Sequence, residues 1–83
     1  MFKTSNIFNI LHNALEAKNM GKKISQSTMA RQLGVSMRTY QDWRLGNSNP
    51  QAAAAVCQML CELDDEDVLF VIKKIKKLEK SEK

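Results

Sequence analysis

The sequence predicts an all-α protein made of five helices, with no strand, and three observations lead to this prediction. Apolar residues recur at the three- and four-residue spacing of an amphipathic helix. Residues that favour helix starts and ends, namely Ser, Asn, Gly and Pro, separate the apolar segments. The chain has 83 residues, which suits one small domain. We expect this domain to span residues 1–80 and to be followed by a frayed tail at residues 81–83.

The first helix is predicted to begin at a cap on Thr4 or Ser5 and to end near Lys18. Its apolar positions at helical spacing are Ile7, Leu11, Ala14 and Leu15.

A second and a third helix follow in close succession. Ser25 caps the second helix, which stops at Gly34, because glycine adopts the left-handed conformation of a helix C-terminus. Ser36 caps the third helix, Met37–Leu45, and Gly46 ends it. Only three residues separate the two helices, and this spacing predicts the αα turn of a helix-turn-helix.

The fourth helix is predicted to start at an Asn49 cap with Pro50 in its first position, and to run to about Leu63. Its predicted stripe consists of Ala52, Ala55, Val56, Met59, Leu60 and Leu63. The acidic run at residues 64–67 then begins a fifth helix that ends in lysines, an order of charges that suits the helix dipole.

Positive charge is concentrated in one part of the chain. The formal net charge is +4. Five basic residues and a single acid lie within residues 21–45, whereas lysines and acids balance over residues 64–83. A local excess of positive charge is typical of a surface that binds a polyanion, although a solvated basic face has the same composition.

The composition argues against several classes of protein. Cys57 and Cys61 lie four residues apart in one helix, where a disulfide would be strained. The single His12 is far from them in sequence, so the three residues predict no metal site. No apolar run approaches the ~20 residues of a membrane span, and no targeting segment is recognised. We therefore expect a cytoplasmic protein without a cofactor, a metal or a catalytic activity.

Residues 25–50 read SQSTMARQLGVSMRTYQDWRLGNSNP. This segment resembles the helix-turn-helix of the phage-repressor family, also called Cro-like or XRE. The matching places are Ser25-Gln26, Met29-Ala30, Leu33-Gly34-Val35-Ser36, Tyr40, Trp43, Gly46 and Pro50. The resemblance implies a compact, repressor-like DNA-binding fold. Its motif core would consist of Ala30, Leu33, Gly34, Val35, Tyr40 and Trp43.

The third helix is the expected recognition helix. At 100° per residue, burial of its aromatic side chains directs four residues to the opposite side, namely Arg38, Gln41, Asp42 and Leu45. Arg and Gln form bidentate contacts with guanine and adenine in the major groove. The resemblance to the phage-repressor family places Met37, Arg38 and Gln41 at the positions that contact bases in that family. The predicted base contacts are therefore Met37, Arg38, Gln41 and Asp42.

Contacts to the DNA backbone are expected on both sides of this helix. The resemblance implies a phosphate contact for Gln26, at the start of the second helix, and further contacts for Asn47 and Ser48. Nearby basic side chains add positive charge. The predicted phosphate contacts are Gln26, Ser36, Arg44, Asn47, Ser48, Lys22 and Lys23.

The fifth helix has apolar residues on more than one face. One stripe consists of Val68, Val71, Ile72, Ile75 and Leu78. Leu69 and Phe70 lie outside this stripe, which predicts a dimer interface at these two residues. The alternative is that they fold over the fourth helix and pack inside the monomer.

These observations predict a sequence-specific regulator of transcription, of the repressor type, that binds double-stranded DNA as a homodimer. A second hypothesis is a protein-interaction module, similar to an antitoxin, that binds another protein and for which DNA binding is secondary. Arg38 and Gln41 on the outer side of the third helix favour the first hypothesis. A wide apolar surface on the last helix favours an additional protein contact.

Overall fold

The computed structural model describes residues 3–82. These residues form five α-helices and no strand. The helices are α1 Thr4–Lys18, α2 Gln26–Leu33, α3 Met37–Leu45, α4 Gln51–Cys61 and α5 Asp65–Glu82. The predicted all-α class is thereby confirmed. Among the described residues, no helix has both the length and the apolar character needed to cross a membrane.

The caps of α2 and α3 are those that the sequence predicts. The Ser25 hydroxyl accepts the Thr28 backbone N–H at 3.1 Å, and the Ser36 hydroxyl accepts that of Thr39 at 3.0 Å. Each cap satisfies one of the N–H groups that a helix leaves without an internal partner. Gly34 and Gly46 end the two helices with φ of +77° and +83°, a conformation that a side chain would strain.

The core lies where α1 and α2 pack against α3. Its buried residues are Met29, Ala30 and Tyr40. Partly buried side chains surround them, namely Phe8, Ile24, Val35 and Trp43. Phe8 of α1 stacks on Trp43 of α3 with ring centroids 4.9 Å apart, and meets Tyr40 edge-on at 6.4 Å. Aromatic pairs in these geometries add to the free energy gained by burial.

The buried side of α1 differs from the predicted apolar stripe. Thr4 and His12 are buried, and Phe8 between them packs on the core. Leu11 and Leu15 are instead 53% and 45% exposed. The predicted cap is also wrong, because Lys3 occupies the N-cap position and Thr4 lies inside the helix. The Thr4 hydroxyl donates to Asn49 Oδ1 at 2.9 Å, so the side chain is hydrogen-bonded although it is buried.

The start and the buried face of α4 also depart from the prediction. Pro50 is the N-cap residue, and Asn49 uses its side-chain oxygen to accept the Thr4 hydroxyl. The helix ends at Cys61, before the predicted Leu63. Its inner face carries the buried Ala54 with the half-buried Ala53, Cys57 and Leu60. Most of the predicted stripe is exposed, namely Ala52, Ala55, Val56, Met59 and Leu63.

Helix α5 carries three acids in its first turn and extends to Glu82. The helix therefore includes residues 81 and 82 of the tail predicted to fray, whereas Met1, Phe2 and Lys83 lie outside the described residues. Of the predicted stripe, Val68, Val71 and Ile72 are half-buried, whereas Ile75 and Leu78 are exposed. Leu69 and Phe70 are 62% and 60% exposed, as expected of residues outside the main stripe. Cys57 and Cys61 are both free thiols.

Candidate nucleic-acid interface

The junction between α2 and α3 is held by backbone hydrogen bonds. The N–H groups of Gly34 and Val35 donate to carbonyls of the last turn of α2, with Val35 N 3.0 Å from Ala30 O. Val35 also packs against the buried cluster. These contacts fix the angle between two consecutive short helices, as the predicted αα turn requires.

The predicted base-contacting residues of α3 differ in exposure, and two of the four lie on its exposed side. Tyr40 is 2% exposed, and Met37 is 51% exposed. Arg38 is also exposed, whereas Gln41 and Asp42 are half-buried. A nine-residue helix with one buried and one exposed side can contact another molecule through the exposed side.

A buried histidine joins α1, the loop before α2 and α3. His12 is 2% exposed, with Nε2 at 2.9 Å from the Ile24 carbonyl and Nδ1 at 2.7 Å from the Tyr40 hydroxyl. Because a carbonyl only accepts, Nε2 carries the proton, and in the neutral ring Nδ1 accepts from Tyr40. Burial raises the pKa of the Tyr40 phenol, so the hydroxyl remains a donor at neutral pH.

Glu16 holds the same loop one turn further along α1. Its Oε2 accepts the Ile24 N–H at 2.7 Å and lies 3.4 Å from His12 Nε2. The hydrogen bond from Ile24 is the main reason that the pKa of Glu16 is lowered, and the charge of the nearby Lys23 acts in the same direction. The charged carboxylate thus belongs to the folded arrangement of the loop that leads into α2.

This hydrogen bond predicts a pH-dependent stability. A carboxylate with a lowered pKa stabilises the fold above its unfolded pKa of about 4.3, and this contribution is lost as the pH falls through the folded value. Glu16→Gln should therefore reduce the drop in melting temperature between neutral pH and pH of about 3. Thermal melts by circular dichroism measure this drop, with Glu79→Gln on α5 as the control for removal of one charge. An identical drop in wild type and Glu16→Gln would refute the contribution.

A second set of polar contacts joins α1 to the end of α3. Arg44 Nε donates to Asn9 Oδ1 at 2.8 Å, and Asn9 Nδ2 donates back to the Arg44 carbonyl at 3.4 Å. Arg44 was predicted as a phosphate contact. The observed pair gives it an additional structural role, because it ties α3 to the N-terminal helix.

Several of the residues predicted to contact DNA phosphates lie at the two ends of α3. At its C-terminal end, the N–H groups of Asn47 and Ser48 donate to the Asp42 carbonyl at 3.0 and 3.3 Å, and both side chains are exposed. At its N-terminal end, the Ser36 hydroxyl bonds to Thr39. The remaining candidates lie on or before α2, with Lys22 and Lys23 exposed and Gln26 half-buried.

Two residues of the predicted motif core lie outside the core, namely Leu33 and Gly34, and Gly34 is exposed in the turn after α2. Leu33 is 52% exposed, because it is the last residue of α2 and lies beyond the part of the helix that contains the buried Met29 and Ala30. The role of His12 was not predicted from sequence. The four-residue spacing of Thr4, Phe8, His12 and Glu16 is the signal that marks this face of α1.

Comparison of the chain with protein-family models, with curated proteins and with solved structures finds no match.

Proposed function

We propose that the protein is a sequence-specific regulator of transcription that binds double-stranded DNA with α3 in the major groove. The observation that carries this proposal is the two-sided character of α3. Its buried side is held by Tyr40, while Arg38 lies exposed on the side away from the core. An arginine in this position can donate to both acceptors of a guanine edge.

The residues around α3 support binding to the DNA backbone. Lys22 and Lys23 precede α2, and Asn47 and Ser48 follow α3, so polar groups lie before and after the α2–α3 segment in the chain. Within residues 21–45 there are five basic residues and one acid. Phosphate contacts of this kind position a protein on the duplex, whereas base contacts select the sequence.

We further propose that two copies act together as a repressor on a two-fold symmetric operator. One short recognition helix contacts few base pairs. A symmetric pair would place two such helices about one turn of DNA, roughly 34 Å, apart. An operator with two inverted half-sites at this spacing is the expected target.

Selection of duplexes from a random pool tests the proposal directly. We expect the enriched sequences to share one motif, repeated as inverted half-sites, and footprinting to protect the major groove of each half-site. Enrichment without a common motif would contradict sequence-specific recognition, and failure to retain any duplex would contradict DNA binding altogether.

A further inference from the structure

Helix α4 combines two properties that rarely occur together on the surface of a monomer. None of its residues from Gln51 to Cys61 is charged, yet only Ala54 is buried. Val56 is 54% and Met59 is 70% exposed. Solvent-facing helices normally carry charged residues on their outer face, so an uncharged exposed face indicates a surface that is covered by a partner.

The exposed residues of α4 follow the spacing of a helix-packing seam. Ala52, Val56 and Met59 are separated by four and three residues, and Leu63, two residues beyond the end of α4, follows four residues later. This alternation keeps apolar side chains on one line along a helix and is the pattern by which two helices pack side by side. The small Ala52 and Ala55 allow a close approach at the N-terminal part of the seam.

The accessible area of the chain supports a missing partner of substantial size. The chain exposes 6807 Å², whereas a folded monomer of its 9.4 kDa mass exposes about 5,000 Å². A stable interface removes about 800 Å² from each partner. The excess is large enough to supply one such interface, and both α4, with one buried residue, and α5, with none, contribute to it.

We propose that a second copy of this chain covers the α4 face, so that α4 packs against its two-fold mate along the seam Ala52, Val56, Met59 and Leu63. In a two-fold interface each residue near the axis meets its own copy. A charge there would face a like charge, and the chain as a whole already carries +4. The uncharged α4 face is suited to self-association for this reason. The inference deepens the proposed function, on which it rests, by naming the interface of the dimer.

The α5 surface predicted from sequence is less suited to the same role. Leu69 and Phe70 are exposed, but three lysines and one acid border the same groove, namely Lys73, Lys74, Lys77 and Glu66. Lys74 Nζ lies 4.6 Å from the centroid of the Phe70 ring, so the ring already has a cation on its face. Pairing of two copies at this surface would bring lysines together, whereas the α4 seam brings no charges together.

Sedimentation of the full chain without DNA tests this interface. We expect the wild type to have twice the 9.4 kDa chain mass at micromolar concentration. Met59→Glu places one acid from each copy in the seam and should raise the dimer dissociation constant at least about 100-fold. Gln58→Glu adds the same charge on another side of α4, and Leu69→Glu adds it on α5. Both controls should remain dimeric.

Two further measurements separate the outcomes. Ala52→Glu should also give monomers. Because Ala52 lies in the first turn of α4, where the helix dipole favours an acid, this variant is expected to fold even if Met59→Glu does not. Monomeric variants should bind a single half-site as the wild type does. Three results would overturn the interface. The wild type could be monomeric, Met59→Glu could dimerise with wild-type affinity, or only Leu69→Glu could dissociate the dimer. A wild type that stays monomeric but binds a different protein through α4 would overturn it as well. A dimer that binds no duplex would leave the interface intact and contradict the proposed function.

Discussion

Replacement of Tyr40 by alanine should lower the free energy of unfolding by about 3–5 kcal/mol. Tyr40 is buried, contacts the rings of Phe8 and Trp43, and donates to His12. Its loss leaves a cavity where α1 and α3 meet and removes the partner of a buried ring nitrogen. Because small domains have a total stability of about 5–15 kcal/mol, this is a large fraction of the whole.

Urea denaturation followed by circular dichroism measures this effect. Tyr40→Phe keeps the ring and removes only the hydroxyl, so it should cost about 1–3 kcal/mol through the unpaired His12 nitrogen. Arg38→Ala, at an exposed position, should change stability by less than about 0.5 kcal/mol. If Tyr40→Ala were as stable as Arg38→Ala, the described core would be wrong.

The affinity for the selected duplex should fall steeply with salt. If two copies neutralise about 6–10 phosphates, the association constant should drop ~10³–10⁵-fold between 50 and 200 mM salt, because bound counterions are released from the DNA. Fluorescence anisotropy of a labelled duplex over a salt series measures the slope directly.

Paired lysine variants locate the source of this salt dependence. Replacement of Lys22 and Lys23 by alanine should reduce the slope of log affinity against log salt by about 4, because each of the two bound copies loses two phosphate contacts. The same replacement of Lys76 and Lys77 on α5 is the matched control and should leave the slope unchanged. A flat salt response in the wild type, or equal effects of the two pairs, would contradict the proposed placement of the phosphate contacts.

The bounds of α2 and α3 were predictable because their signals are local. A Ser before each helix and a Gly after it satisfy backbone groups within a few residues, whatever the rest of the chain does. The outward position of Arg38 followed from the helical period and two aromatic anchors in the same helix. These features depend on residues close in sequence, so one sequence is sufficient to identify them.

The buried faces of α1 and α4 were not predictable in the same way. Hydrophobicity alone assigned the most apolar side of each helix, which includes Leu11 in α1 and Met59 in α4, to the core. The structure instead buries Thr4 and His12, whose hydrogen-bond partners Asn49, Ile24 and Tyr40 lie far along the chain. A polar side chain is buried where such distant partners complete its hydrogen bonds. In the sequence, an apolar helix face that contacts another molecule has the same pattern as one that packs in the core.

The central claim, that Arg38 reads a base in the major groove, can be tested by removal of single acceptor atoms from the DNA. Replacement of guanine by 7-deazaguanine removes N7 from the major-groove edge and leaves the minor groove unchanged. At one guanine of each half-site, this replacement should weaken wild-type binding by about 1–3 kcal/mol. It should have no further effect on Arg38→Ala, because the interaction is already absent. If no guanine shows this coupling to Arg38, or if wild type and Arg38→Ala lose the same affinity at every guanine, Arg38 does not read the sequence.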